Sequence, residues 1–498
     1  MNLVPGNIST TIHRHERDNS SVSTNQLCTF VKKGLFKIKN RTTDSKQNQN
    51  MMKETSISRK SFIKNSTVSL AGLTLLPGIL QARPNKFEEE RDSQAKKTAN
   101  SYTLKNVLLE IGFEYDDNEV MTTKTGLFSI EITDGKIRKV SPNQLNAKAI
   151  DAKGMLMLPS FRDMHIHLDK TFYGNKWQAV RRGTAGIKGM IALEQRILPE
   201  MLKTSTYNAE KMIELLQSNG TSFARSHVNI EPTSKLDSLK NLQKALENKK
   251  KVFGAELVAF PQHGVFYTDS VPYLKEAAKM DIDFIGGVDP YSIDGAIEKT
   301  MDFTVQLALD NNKGIDIHLH ESGESGLKTI KYLIAKVNEN PALKGKTYLS
   351  HCFALARLNK VQQEEMAEKM ANAQIGINST IPFGGLIMPI PTLMKHGVKV
   401  MTGNDSIIDH WNTFGTGSVL QKANLAAQLY GYSSEFGLSR MLKLATTGPI
   451  PLDDKGKQQW PKVGDDADFV FIDASCSAEA VSRISPVKSL IYKGNIVF

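Results

Sequence analysis

The stretch Leu158-Pro-Ser-Phe-Arg-Asp-Met-His165-Ile-His167-Leu-Asp-Lys170 decides how the rest of the chain is read. An apolar run closes in two histidines one residue apart. In an extended strand the side chains at i and i+2 share a face, so His165 and His167 can hold one metal ion together. The pair alone also fits two structural histidines. Its weight comes from what lies downstream.

Short β-prone runs recur at 155–167, 222–229, 252–261, 284–289, 315–320, 347–351, 374–379 and 398–404, each followed by room for a helix. Helical spacing shows over 209–218, where Met212, Leu215 and Leu216 share a face and Gly220 supplies a stop. A second helix is expected over 302–311. Eight β/α repeats predict an α/β fold, a (β/α)8 TIM-type barrel, whose chemistry sits at the carboxyl ends of the strands. Polar residues gather there. His165 and His167 close the first run and His227 lies in the second. Gln262 and His263 end the third, and His318-Leu-His320-Glu321 the fifth. Ser350-His351 ends the sixth and Gly403-Asn404-Asp405 the eighth.

Segments 104–112 and 127–140, with a turn at Asp134-Gly135, alternate apolar and polar residues, as do 467–473 and 488–498. The two chain ends are therefore expected to complete one small β-domain. The predicted organisation is a polar extension (1–50), an export signal (51–82), a linker (83–103), a composite β-sandwich (104–157 plus 455–498) and the barrel (158–454).

The 498 residues are 40% hydrophobic and 23% charged, ordinary for a soluble globular protein. Of the net charge of +11, residues 1–64 carry +8 (12 Lys+Arg less 4 Asp+Glu), leaving +3 for the rest. A nearly neutral body offers no basic face, so nucleic acid is not an expected partner. Ser58-Arg59-Lys60-Ser61-Phe62-Ile63-Lys64 precedes a short apolar run over 68–80, the pattern of an export signal too short for a stable membrane anchor. It is similar to a twin-arginine signal with Lys60 in place of the second arginine, which predicts a periplasmic protein. A general secretory signal, or a basic tail on a cytoplasmic protein, is the alternative. Cys28, Cys352 and Cys476 form no framework, and Cys352 is expected to be a buried free thiol. No Pro-Cys-x-x-Cys and no Gly-x-x-x-x-Gly-Lys occurs, which excludes the cysteine-ligated zinc deaminases and phosphate-loop enzymes.

The motifs His165-Ile-His167-Leu-Asp, Val258-Ala-Phe-Pro-Gln262, Asp316-Ile-His318-x-x-Glu321, Ser350-His351 and Gly403-x-Asp405 followed by Asp409-x-Trp411 together resemble the amidohydrolase superfamily, in its cytosine deaminase-like branch, over about residues 104–498. The resemblance implies one divalent metal ion per chain, Zn²⁺ or Fe²⁺, held by His165, His167, His318 and Asp405 with water in an open position. It implies that Asp405 takes the water's proton, that His351 orients the attacking oxygen, and that Glu321 carries protons to the ring nitrogen and the leaving amine. Gln262, Ser406 and Trp411 would border the substrate, Gln262 reading a ring amide edge. The implied reaction hydrolyses a non-peptide C–N bond of a small heterocyclic amine or cyclic amidine; a homo-oligomer is left open.

In cytosine deaminases proper an acidic residue stands where Ser406 is, and usually another where His263 is. The loop 170–177 differs too, implying a pocket wider or less cationic in its preference. His320 could replace His318 by the same i+2 spacing. Asp405 could cap a helix, His351 sit in the core, Glu321 lie on the surface and Gln262 be a plain loop residue. His227 and His263 read as supporting residues. Two rival functions are a dinuclear cyclic amidase or dihydroorotase-like hydrolase, and an exported non-catalytic metal- or ligand-binding barrel. The first usually needs a lysine from the fourth strand, and 284–289 contains none.

Overall fold

The computed structural model describes residues 101–180, 186–381 and 384–498. The expected extension, the export signal and the linker up to residue 100 lie outside the described residues. The chain opens with β1 (Ser101–Asp116), β2 (Glu119–Thr133), β3 (Lys136–Pro142), β4 (Ile150–Asp151) and β5 (Leu156–Pro159). Eight parallel strands follow: β6 (Phe161–Ile166), β7 (Thr221–Asn229), β8 (Gly254–Phe260), β9 (Phe284–Val288), β10 (Gly314–Leu319), β11 (Thr347–His351), β12 (Ile375–Ser379) and β13 (Val400–Thr402). The chain closes with β14 (Phe469–Ile472), β15 (Val487–Tyr492) and β16 (Asn495–Ile496).

Helices α1 (Gly186–Met201) and α2 (Ser205–Ser218) follow β6. Then α3 (Asp237–Lys249), α4 (Val271–Ala277), α5 (Ile297–Asp310), α6 (Glu324–Glu339), α7 (Lys360–Asn372) and α8 (Ile390–Lys395) each follow one strand, and α9 (Val419–Tyr430) and α10 (Glu435–Thr446) follow β13. The short α11 (Ser477–Arg483) joins β14 to β15. In α2 the predicted apolar face is buried at Met212 and Leu216, and Gly220 follows at φ +83°.

Strands β6 to β13 pair in sequence order, and the ends meet: Asp405 N–H donates to His165 O (2.7 Å) and Ile166 bridges Asp405 in parallel. Closure needs a glycine, since a Cβ on Gly403 would fall 2.4 Å from the His165 backbone. The barrel predicted from the repeats is therefore present.

The two chain ends form the second sheet, ordered β16-β15-β14-β5-β1-β2-β3, over an apolar core that includes Leu109, Ile130, Ile137, Phe469 and Ile491. The first β-prone run, 155–167, differs from expectation. It is two strands, β5 paired with β14 and β6 paired with β7. Pro159 ends β5, having no N–H for a ladder, and Phe161 N–H turns to Gly220 O (2.9 Å) in the barrel.

Within the barrel, residues from non-adjacent strands meet. Arg225 on β7 lies with its guanidinium carbon 4.0 Å from the Phe284 ring centroid on β9 and 4.2 Å from that of Tyr348 on β11. Alternation along β7 puts His227 on the same inward face, one step nearer the carboxyl end.

Candidate active site

At the carboxyl end of the barrel, His165 on β6, His167 just beyond it, His318 on β10 and Asp405 after β13 bring one ligand atom each within 4.8 Å of one another. Asp405 Oδ1 lies 3.2 Å from His165 Nε2 and 3.3 Å from His167 Nε2, and His318 Nε2 lies 3.4 Å from His167 Nε2. The outer nitrogens decide what these inner ones present. His167 Nδ1 is 3.1 Å from the His227 carbonyl and must donate to it. His165 Nδ1 is 2.9 Å from Ser350 Oγ, whose own proton goes to Asp316 Oδ1 at 2.7 Å, so His165 Nδ1 donates as well. Lone pairs on both Nε2 atoms then face a carboxylate oxygen. His165 Nε2 is buried with no hydrogen-bond partner among the described residues. Converging lone pairs of this kind fit a divalent cation, and the outer partners orient the rings for it.

The electrostatics agree. Burial, then Lys170 nearby, pushes His167 down to about 4. Burial, with His227 and His165 alongside, holds His318 well below its ordinary value. Burial would raise the Asp405 carboxyl, but His351, His165 and His167 outweigh it and hold it well below the usual range. With His167 and His318 held toward their neutral form and Asp405 toward its ionised form, these three groups suit a cation. His351, Cys352 and Asp405 all sit at left-handed φ, +66°, +56° and +63°. These non-glycine residues cost energy there, and such strain collects at functional sites.

Asp316 anchors the set from below. Besides Ser350, its carboxylate accepts from Arg225 Nη1 (3.0 Å) and Asn378 Nδ2 (2.8 Å). His227 is buried with its ring centroid 4.2 Å from that of His165, and neither ring nitrogen has a hydrogen-bond partner among the described residues. Its carbonyl, rather than its ring, supports His167.

Beside the set, His351 Nε2 lies 4.0 Å from Asp405 Oδ2 and its ring stacks on His320 at 4.4 Å. His320 is bound to Asp289, Nδ1 to Oδ2 at 2.8 Å, so it stands outside the ligand group. Glu321 is buried, not on the surface. Its Oε1 accepts from the backbone N–H of Tyr291 (3.0 Å) and Ser292 (2.7 Å), while Oε2 is buried without a hydrogen-bond partner among the described residues.

On the other side, Gln262, Trp411 and four residues absent from the expected site, Lys170, Asn229, Glu194 and His410, form one polar cluster. Lys170 Nζ donates to Gln262 Oε1 (2.5 Å) and Asn229 Oδ1 (3.2 Å) and lies 3.5 Å from Glu194 Oε1. Glu194 Oε2 accepts from Trp411 Nε1 (2.9 Å) and stands 3.0 Å from His410 Nε2 and 3.6 Å from His263 Nε2. Burial raises the Glu194 carboxyl, but Lys170, His410 and His263 prevail and hold it well below its ordinary value. Ser406 is buried next to Asp405, its carbonyl accepting from Asn412 Nδ2 at 3.0 Å. A sequence signal for Glu194 exists: it shares the buried stripe of α1 with Ile191 and Leu198, a carboxylate at a core position.

His263 faces Glu231 Oε2 at 3.3 Å as well as Glu194. Both are ion-pair separations without hydrogen-bond alignment. Burial lowers its pKa, but the two carboxylates overcome that and raise it from 6.5 to about 9. A raised pKa stabilises the fold fully below the unfolded value and loses that contribution as pH climbs through the folded one. Thermal melts of the wild type are therefore expected to fall between pH 6.5 and about 9, by an amount on the order of 3 kcal/mol. His263→Gln should flatten that window; an unchanged pH profile in this variant would refute the assignment.

A model of the amidohydrolase family matches residues 227–498, more than half of the 498. The chain belongs to the amidohydrolase family. It is 49% identical over 457 residues to the uncharacterized protein YahJ of Escherichia coli (strain K12), covering 90% of this chain and 99% of that one. It is 25% identical over 389 residues to the N-isopropylammelide isopropyl amidohydrolase of Pseudomonas sp. (strain ADP), covering 76% and 96%. Its fold matches the crystal structure of N-isopropylammelide isopropylaminohydrolase from Burkholderia multivorans with a TM-score of 0.69 at 25% identity, over 80% of this chain and 98% of the other. This amidohydrolase is a hydrolase of carbon–nitrogen bonds other than peptide bonds. His165 and His167 precede the matched span and reach the site through barrel closure.

Proposed function

We propose that this amidohydrolase removes an amino or alkylamino group from a small heterocyclic amine or cyclic amidine. The observation that carries the reading is Glu321, one oxygen pinned by two backbone N–H groups and the other buried without a hydrogen-bond partner among the described residues, in the loop that follows metal-ligand candidate His318. A binding protein has no use for a held carboxylate with a spare oxygen there. A hydrolase that must deliver a proton to departing nitrogen does.

His165, His167, His318 and Asp405 would hold one ion, and an imidazole and carboxylate set suits Zn²⁺ or Fe²⁺. When bound, such an ion supplies Lewis acidity that brings water's pKa toward neutrality. Asp405 accepts the proton of the attacking water, and His351, beside it, holds the oxygen in line with the ring carbon. Glu321 moves a proton through Oε2 to the leaving nitrogen. The water oxygen ends on the ring carbon, the C–N bond breaks, and ammonia or an amine leaves. Gln262, Ser406 and Trp411 line the substrate side. The similarity to the Pseudomonas N-isopropylammelide isopropyl amidohydrolase supports this class.

The test is Glu321→Gln, assayed for ammonia or amine release over aminopyrimidines, aminotriazines and cyclic amidines. Gln keeps the two backbone contacts through its carbonyl oxygen but cannot carry the proton. Turnover should drop about 10²–10⁴-fold with metal content unchanged. Wild-type rates in the metal-replete variant would sink the proton-shuttle role.

A further inference from the structure

The groups that would meet a substrate are shut in. Gln262 is 7% exposed and Glu321 8%, and Ser406, His165, His167 and His318 are buried with them. Asp405 and His320 keep some accessible side-chain surface, 21% and 32%. That admits water to the carboxylate, yet a heterocycle has no way in while Gln262 and Glu321 stay covered. Some element has to move before binding.

The element that lies over the mouth is α1. Two helices follow β6; α2 packs beside β7 as a repeat helix does, and α1 meets strand ends and loops instead. Its Ile191 shares one apolar cluster with Phe260, the last residue of β8, Val288, the last of β9, and Ile293. Its Glu194 accepts from Asn229 at the end of β7 and from Trp411 after β13, and faces Lys170 after β6. In a ring of eight strands β9 and β13 stand opposite each other. A helix tied to both sides therefore crosses the opening.

Its hold there is slight. Of its 16 residues α1 buries three, Ile191, Glu194 and Leu198, whereas α2 buries seven of 14. Gly189 and Pro199 lie inside α1, and both are poor helix formers. An element with so few buried contacts opens locally without unfolding the rest. Much of its attachment is one carboxylate, Glu194, surrounded by Lys170, His410 and His263. Water would solvate that carboxylate once the helix lifts.

We propose that α1 is the gate of this active site, lifting off the strand ends to admit substrate and closing again through Glu194, the latch that ties it to Lys170, Asn229 and Trp411. The inference rests on the site described above, but its test does not depend on which heterocycle is turned over.

Two readouts on the purified full chain test it: hydrogen exchange of the amides over 186–201, and the rate at which 1,10-phenanthroline strips zinc from the zinc-loaded protein. In the wild type α1 should exchange as one unit, about 10²-fold faster than α2. Glu194→Gln keeps the shape of the side chain but leaves the buried Lys170 unanswered in the closed state. Exchange of α1 and zinc release should both quicken by about 10- to 100-fold, with α2 and β10 unchanged. If Glu194→Gln does not fold, Ile191→Ala decides. It loosens the apolar seat, leaves the polar cluster whole, and should quicken both rates by about 10- to 100-fold.

Wild-type α1 exchanging no faster than α2 would overturn the gate. So would a variant in which every element speeds up alike, the mark of a structural role alone. Unchanged zinc release from a variant whose α1 has loosened would also overturn it, and would place entry on the side of Asp405 and His320. A chain that takes up no zinc would count against the ligand group instead, leaving the exchange of α1 to decide the gate.

Discussion

Asp405→Asn is expected to lower turnover by about 10²–10⁴-fold, the range for loss of a positioned proton acceptor. The carboxylate owes its place to barrel closure. Its N–H donates to His165 O at 2.7 Å, its carbonyl accepts from His167 N at 3.3 Å, and the backbone sits at φ +63°. Asparagine tolerates that conformation better than most residues, so the fold should survive. What it loses is charge and basicity. His165 Nε2 and His167 Nε2 would then face a neutral amide at the positions now 3.2 and 3.3 Å from Oδ1. The variant should bind less metal per chain, and adding metal in excess should restore occupancy without restoring rate. Steady-state amine release, with metal content by elemental analysis and a melting curve, separates these effects. Near-wild-type turnover at full occupancy would rule out Asp405 as the proton acceptor.

Arg225→Met should cost about 3–5 kcal/mol of stability, the usual result of stripping one partner from a buried ion pair. The guanidinium donates from Nη1 to Asp316 Oδ2 (3.0 Å) and from Nε to Glu256 Oε2 (2.9 Å), between the rings of Phe284 and Tyr348. Methionine fills the space but leaves the fully buried Asp316 without a countercharge. Asp316 also holds Ser350, which orients His165, so metal affinity should fall as well, by about 10- to 100-fold. Adding Asp316→Asn to Arg225→Met removes the stranded charge and should recover part of the stability, read as a positive coupling in a double-mutant cycle. Strict additivity in chemical denaturation would mean the two groups do not act as a pair.

Much of this site could be read from the chain because strand geometry is local. Period-two alternation puts His165 with His167 wherever that strand goes, and a strand ending in His-Leu-His-Glu or Gly-Asn-Asp presents those groups at one rim once the repeats close. The choice between His318 and His320 was not readable. Both share a face, and only Asp289, across from the second, draws it away. The split of 155–167 into two strands was half-legible, since Pro159 breaks a ladder but does not say which sheet each side joins.

The polar cluster behind the pocket is of another kind. Lys170 follows β6, Glu194 lies on α1, Gln262 and His263 follow β8, and His410 and Trp411 follow β13. No spacing in the sequence relates them, for their partners are chosen by closure of the barrel and by the seat of α1. Burial then makes each polar group find a partner or exact an energetic cost, which is why Lys170, His263 and His410 all gather around the carboxylate of Glu194.

The sequence by itself determined the repeat, the faces of the strands and the residue types at the rim, because these depend on backbone period and on the chemistry of single side chains. The tertiary structure alone decided which rim groups share a metal-sized space, which carboxylates are charged and which way Gln262 points. Those properties arise from distances across strands far apart in the chain and from removal of water around them, and neither exists until the barrel closes.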